Sequence, residues 1–103
     1  MAQISSEAAL AKLGELPGWA LSGSSLRREF VFGGFADAIA FVVRLGFAAE
    51  AADHHPDLHI NYKRVTVAYT THSAGGLTDK DFDGATTATR LGEAMGGNGA
   101  VSR

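Results

Sequence analysis

Two short runs of alternating hydrophobicity, set back to back around Lys63-Arg64, constrain this chain more than any other feature. Leu58, Ile60 and Tyr62 share one side of the first run, Asp57 to Tyr62; Val65, Val67 and Tyr69 share one side of the second, Val65 to Thr71. Period-two alternation over so few residues means β-strands with one buried face, and the short break between them means an antiparallel hairpin. With the turn at Lys63-Arg64, Tyr62 faces Val65, Ile60 faces Val67 and Leu58 faces Tyr69, apolar against apolar. A sheet with one apolar face needs a second layer to cover it.

Segments of helical spacing supply that layer. Ser5 and Ser6 can cap a short helix to about Leu13, with Leu10 and Leu13 inward, before Gly14 and Pro17-Gly18 break it. Phe35 to Ala52 carries a stripe of Phe35, Ile39, Val42 and Leu45. Phe41, Val43 and Phe47 lie off that stripe, so the apolar surface is wide enough to be buried on a second side, by a subunit contact or by internal packing. Thr78-Asp79-Lys80-Asp81 reads as a capping box with Asp in place of Glu. It opens a last helix bearing Phe82, Ala85, Ala88, Leu91 and Met95, to about Gly96. A further hairpin, Trp19 to Ser22 and Leu26 to Phe32 around Gly23-Ser24-Ser25, sets Phe30 and Phe32 on one face. The order α-β-β-α-β-β-α predicts an α+β two-layer sandwich, a four-stranded antiparallel sheet with helices on one face. The 103 residues read as one domain, with Gly96 to Arg103 a frayed tail.

Composition narrows the function classes. A formal charge of −2 leaves no broad basic face, which argues against nucleic-acid binding. No apolar run reaches membrane-spanning length, since Asp37 and Arg44 interrupt the stretch from Phe35. Met1 to Leu10 has neither the basic start nor the apolar core of a signal segment, so a cytosolic protein is the simplest expectation. With no cysteine and 13 glycines, a core this small is expected to gain from oligomerisation.

The chemistry concentrates in Glu50-Ala-Ala-Asp53-His54-His55-Pro56 and Thr70-Thr71-His72, which hold three of the four histidines. Histidine both gives and takes a proton near neutral pH. The hairpin register, carried outward, sets His55 opposite His72 at one end of the sheet. Glu50 lies one helical turn before His54 and is expected to orient that ring. Asp81 can approach from the other side if Gly75-Gly76 folds back. His59 points off the apolar face and reads as a solvated strand residue. A zinc site is the competing reading, because His54, His55, His72 and a carboxylate could supply three or four ligands. Adjacent histidines seldom aim at one metal, however, and neither HExxH nor a cysteine pair is present. Gly75-Gly76 and Gly96-Gly97-Asn98-Gly99 lack the lysine and context of a phosphate-cradling loop.

One frame is long enough to identify. Glu50, three residues, His54-His55-Pro56, five residues, Tyr62, nine residues, His72 and then Asp81 resemble the pterin-4a-carbinolamine dehydratases, also called dimerisation cofactors of homeodomain proteins. Gly76-Leu77-Thr78 resembles that family's approach to its last helix, and the likeness spans Trp19 to Met95. Many members carry Trp two residues after the proline where this chain has Leu58, a change that bears on substrate fit. The resemblance implies dehydration of a 4a-hydroxytetrahydropterin, such as 4a-hydroxytetrahydrobiopterin, to the quinonoid dihydropterin and water, serving an aromatic amino acid hydroxylase. It implies His54, His55 and His72 as catalytic residues, with Glu50 and Asp81 supporting them. Asp53, Pro56, Thr70, Thr71 and Ser73 would hold the pterin, with no metal and no cofactor. It also implies a homodimer or homotetramer; an assembly-factor or coactivator role on the same fold is the alternative.

Overall fold

A computed structural model describes residues 3–97. The elements are α1 (Ser6–Leu13), β1 (Ala20–Ser22), β2 (Ser25–Val31), α2 (Phe35–Ala52), β3 (Asp57–Asn61), β4 (Arg64–Tyr69), the 3-10 turn His72–Ala74 and α3 (Asp79–Ala94). The strands form one antiparallel sheet in the order β1-β2-β4-β3, so the expected α-β-β-α-β-β-α sandwich is the fold observed.

Alternation decides which face of the sheet is covered. Leu26 and Phe30 of β2, with Val65, Val67 and Tyr69 of β4, are buried under the helices, and Leu58 and Ile60 of β3 pack beside them. Arg27, Glu29 and His59 face outward and are exposed. Phe41 of α2 sits between Phe30 and Phe32, with ring centroids 4.9 and 5.0 Å away. Trp19 packs edge-on to Phe30 and donates from Nε1 to Thr89 Oγ1 at 2.7 Å, which ties the first hairpin to α3.

Three details differ from the sequence expectations. The inward stripe of α2 is Ala38, Phe41, Leu45 and Ala49, while Phe35, Val43 and Phe47 are exposed. The alanines let this helix approach the sheet closely, and small residues give no signal in a search for bulky stripes. In α1, Ala9 is buried and Leu10 is 61% exposed, so Ala9 takes the inward position expected of Leu10. In the β3–β4 hairpin, Asn61 pairs with Arg64, Ile60 with Val65 and Leu58 with Val67, and the turn is Tyr62-Lys63. This register is two residues from the expected one, so the paired residues of both strands keep their faces, whereas Tyr62 leaves the apolar face for the turn and is 63% exposed. Tyr62 sits at φ 54, a costly conformation for a bulky residue that the apolar matching behind a Lys63-Arg64 turn does not register. The expected tail lies mostly outside the described residues, but Gly97 is buried and donates to Gly92 O at 2.7 Å.

Helix α3 lies close on the sheet because glycines face it. A Cβ placed on Gly92 would fall 2.5 Å from Cε2 of Phe30. Overpacking of that kind costs about 1–3 kcal/mol, whereas alanine gains roughly 1 kcal/mol in helix propensity. We therefore expect Gly92→Ala to lower the urea midpoint of unfolding. A raised midpoint would show that Phe30 can shift freely.

Candidate active site

The site forms where α2 ends, β4 ends and α3 begins. Helix α2 closes on Asp53, a residue in the left-handed conformation at φ 52. Asp53 N–H donates to Glu50 O at 3.2 Å and His54 N–H to Ala49 O at 3.1 Å, the paired bonds of a Schellman motif. That reversal takes His54 off the helix. Glu50 therefore does not meet His54 as one-turn spacing implied; its Oε1 lies 2.8 Å from Nε2 of His55. Both side chains of this second pair are more than half exposed, so the pair contributes little to stability.

His54 is attended by Asp81 instead. Nε2 of His54 lies 2.6 Å from Oδ1 of Asp81, a carboxylate with no solvent exposure. The other oxygen, Oδ2, accepts from Thr71 Oγ1 at 2.8 Å and from the Thr78 backbone N–H at 2.9 Å. The second of these is half of the capping box that the sequence announced, with the Thr78 side chain taking the N-terminal amides of α3 in return. An ionised carboxylate can only accept, so the hydrogen between them is carried by Nε2 of His54 and that of Thr71 points to Asp81. In the 3.0 Å contact between the Thr71 and Thr78 hydroxyls, Thr78 is then the donor. Nδ1 of His54 is left without a hydrogen-bond partner among the described residues.

Strand β4 stops at Tyr69, and the chain does not continue straight to pair His72 with His55. Thr71 and Gly76 bond to each other through both backbone amides, at 3.2 and 3.3 Å, closing a loop around the turn His72–Ala74. Gly75, at φ 75, provides the reversal. His72 and Ser73 are exposed on this loop, and the expected His55–His72 juxtaposition across a ladder is not present. Among the other residues expected to hold a ligand, Asp53 is exposed and Pro56 half-buried. Thr70 Oγ1 donates to Ser24 O at 2.7 Å, and Thr71 is buried with its hydroxyl committed to Asp81. Among the described residues, no group of three or more His, Asp or Glu side chains is placed to hold a metal ion.

A groove of about 330 Å³ runs from His54 between α2 and α3, with Leu45, Ala48, Ala49 and Ala52 on one wall and Lys80, Asp83, Gly84 and Thr87 on the other. Tyr69 is part of it, and its ring stacks on His54 with centroids 5.7 Å apart. The sequence presented Tyr69 as one more apolar-face strand residue, and only its polar tip hinted at more. Burial, and then the Asp81 carboxylate, push the Tyr69 phenol up to about 12.

The element order and this sheet are those of solved pterin dehydratases. A transcriptional coactivator/pterin dehydratase from Brucella melitensis superposes with a TM-score of 0.84 at 30% identity, over 87% of this chain and 98% of its own. A pterin dehydratase-like protein identified as a RuBisCO assembly factor in the alpha-carboxysome superposes with a TM-score of 0.60, over 72% of this chain and 86% of its own. At 20% identity, this is a likeness of fold alone. The chain belongs to the pterin 4 alpha carbinolamine dehydratase family, whose model matches residues 2–91. Proteins provisionally named pterin-4-alpha-carbinolamine dehydratases agree. One from Roseiflexus sp. strain RS-1 is 52% identical over 84 residues, 82% of this chain and 87% of its own. One from Trichormus variabilis is 48% identical over 92 residues, 88% of this chain and 99% of its own.

The Tyr69 phenol makes stability depend on pH at the alkaline end. Its folded value lies above its ordinary value of 10.0, so the linked stability is whole below pH 10 and is lost as pH rises through about 12. In urea titrations across that range, the wild type should lose stability more steeply than Tyr69→Phe. Parallel losses would show that the phenol is as free to ionise folded as unfolded.

Proposed function

We propose that this protein dehydrates a 4a-hydroxytetrahydropterin to the quinonoid dihydropterin and water, and that His54, held by Asp81, is its central proton-transfer group. The observation that carries the reading is the 2.6 Å contact between His54 and a fully buried carboxylate, in a chain of this family. In the reaction the C4a–O bond breaks, the departing hydroxyl takes a proton and leaves as water, and N5 gives up a proton as the C4a=N5 bond forms. One proton enters and one leaves, so no electron donor or acceptor is consumed.

Asp81 fixes His54 in one tautomer, with hydrogen on Nε2, and leaves Nδ1 as the nitrogen that exchanges a proton with substrate. The closest template is the carboxylate-oriented imidazole of general acid–base catalysis, where such a group contributes about 10²–10⁴-fold. In our proposal His72 on the 71–76 loop is the second proton-transfer group, and His55 with Glu50 binds the flat ring at the exposed rim. Asp53, Pro56 and Ser73 line the approach, while Thr71 supports Asp81. Thr70 anchors the loop to the first hairpin. A product of this kind would be reduced again and reused by a pterin-dependent hydroxylase, the pathway partner we propose.

Stopped-flow decay of a synthetic 4a-carbinolamine tests the reading. His54→Ala and His72→Ala should each slow turnover by at least about 100-fold. Asp81→Asn should lower kcat more than it raises KM, because it loosens a ring rather than a ligand. Undiminished turnover in His54→Ala would remove the proposed mechanism.

We further propose that copies of the chain associate through the outer face of α2, where Phe35, Val43 and Phe47 are 51%, 51% and 75% exposed. Their spacing of eight and four residues sets all three on one side of the helix, and apolar surface exposed on one helix face suits an interaction site. The same face is what an assembly-factor or coactivator role would use. Sedimentation velocity should show a dimer or tetramer that Phe47→Glu converts to monomer. A wild-type monomer would instead favour a different protein on that face.

A further inference from the structure

The groove beside His54 has features that proton transfer does not use. Tyr69 is only 1% exposed, yet its hydroxyl has no hydrogen-bond partner among the described residues. Nor is that oxygen a sealed, unsatisfied atom, for Arg28 Nε is the one such atom among the described residues. The hydroxyl therefore reaches the groove that Tyr69 lines. Its position depends on Gly84, where a Cβ would fall 2.5 Å from Cε1 and 2.6 Å from Cζ of the ring. Without a side chain at 84, the phenol lies flush beneath α3 with its polar end at the wall of the groove. Thr87, one helical turn along, brings a second hydroxyl with no partner among the described residues. A buried site with an unused hydroxyl is built to be completed by a ligand that hydrogen-bonds to it.

We propose that this groove is the specificity subsite for the C6 substituent of the pterin, and that it selects a hydroxylated chain over a bare alkyl group. The inference rests on the dehydratase reading above, with the ring at the imidazoles and the substituent passing His54 into the groove. Ala48 and Ala52 supply apolar contact for the carbon skeleton, while Tyr69 and Thr87 read its hydroxyls. Lys80 and Asp83 stand at the rim with opposite charges, which suits a neutral polyol better than an anionic tail. The volume of about 330 Å³ is at the low end for small-molecule sites, which fits a substituent rather than a second complete cofactor.

The test uses two stable 7,8-dihydropterins, one with a 6-methyl group and one with a 6-(1,2-dihydroxypropyl) chain, in fluorescence titrations of the full chain. The wild type should bind the hydroxylated compound about 3–10-fold more tightly, the worth of one net hydrogen bond. In Tyr69→Phe, which keeps the ring stacked on His54, that ratio should fall towards one. Ala52→Leu, which narrows the groove from the α2 wall, should reduce it as well. Equal binding by the wild type, or a ratio that both variants leave intact, overturns the subsite. Turnover of the matching carbinolamines separates this inference from its premise. Selective binding without turnover keeps the subsite and removes the dehydratase, turnover without selectivity does the reverse, and failure of both ligands to bind removes both.

Discussion

The carboxylate of Asp81 is the point on which this structure turns. It is wholly buried, and a buried charge is tolerated only when its hydrogen-bonding capacity is filled. Here the donors come from three separate stretches of chain: His54 after α2, Thr71 after β4, and the Thr78 amide at the start of α3. The positive end of the α3 dipole adds to the stabilisation. One side chain thus begins a helix, anchors the 71–76 loop and orients an imidazole. Removing one partner from such a set typically costs about 3–5 kcal/mol, since the others are left facing an unsatisfied group. Stability and the candidate chemistry are in this sense the same interaction.

The exit of α2 decides how carboxylates and imidazoles are matched. Had the helix run on through His54, Glu50 would have shared its face and Asp81 would have had no ring to hold. The left-handed residue at Asp53 reverses the chain, sends His54 inward and leaves His55 on the rim with Glu50. The two pairs have similar lengths, 2.6 and 2.8 Å, but very different surroundings. In the exposed pair, water competes for both partners and screens their charges, whereas the buried pair is held in one geometry. A general acid or base needs that fixed geometry, so His54 is the stronger candidate for the central role.

Glycine and alanine shape the space next to this pair. Gly84 and Gly92 let α3 settle on Tyr69 and Phe30, and the alanines of α2 leave the groove open on its other side. Bulkier residues would pack a tighter core and close the space beside His54. Membership of the pterin carbinolamine dehydratase family accounts for the frame of histidines.

Much was legible in the sequence, for physical reasons. Period-two runs at Leu58–Tyr62 and Val65–Tyr69 gave the strands their buried face, because side chains on a pleated backbone can only alternate. The capping box at Thr78 and Asp81 marked the start of α3, because unsatisfied amides at a helix start need nearby acceptors. The histidine frame identified the family. Tertiary structure alone decided the rest. Tyr62 adopts a left-handed conformation that its residue type disfavours, and Asp53 one that aspartate tolerates without its sequence demanding it; these set the hairpin register and the His54–Asp81 match. The inward stripe of α2 contains alanines that only become core when the sheet closes on them. Tyr69 gains its place in the groove from a glycine fifteen positions away on another element. Local patterns determine which face of each element is buried, but which side chains meet depends on backbone reversals whose strain is offset only by contacts made after the chain has packed.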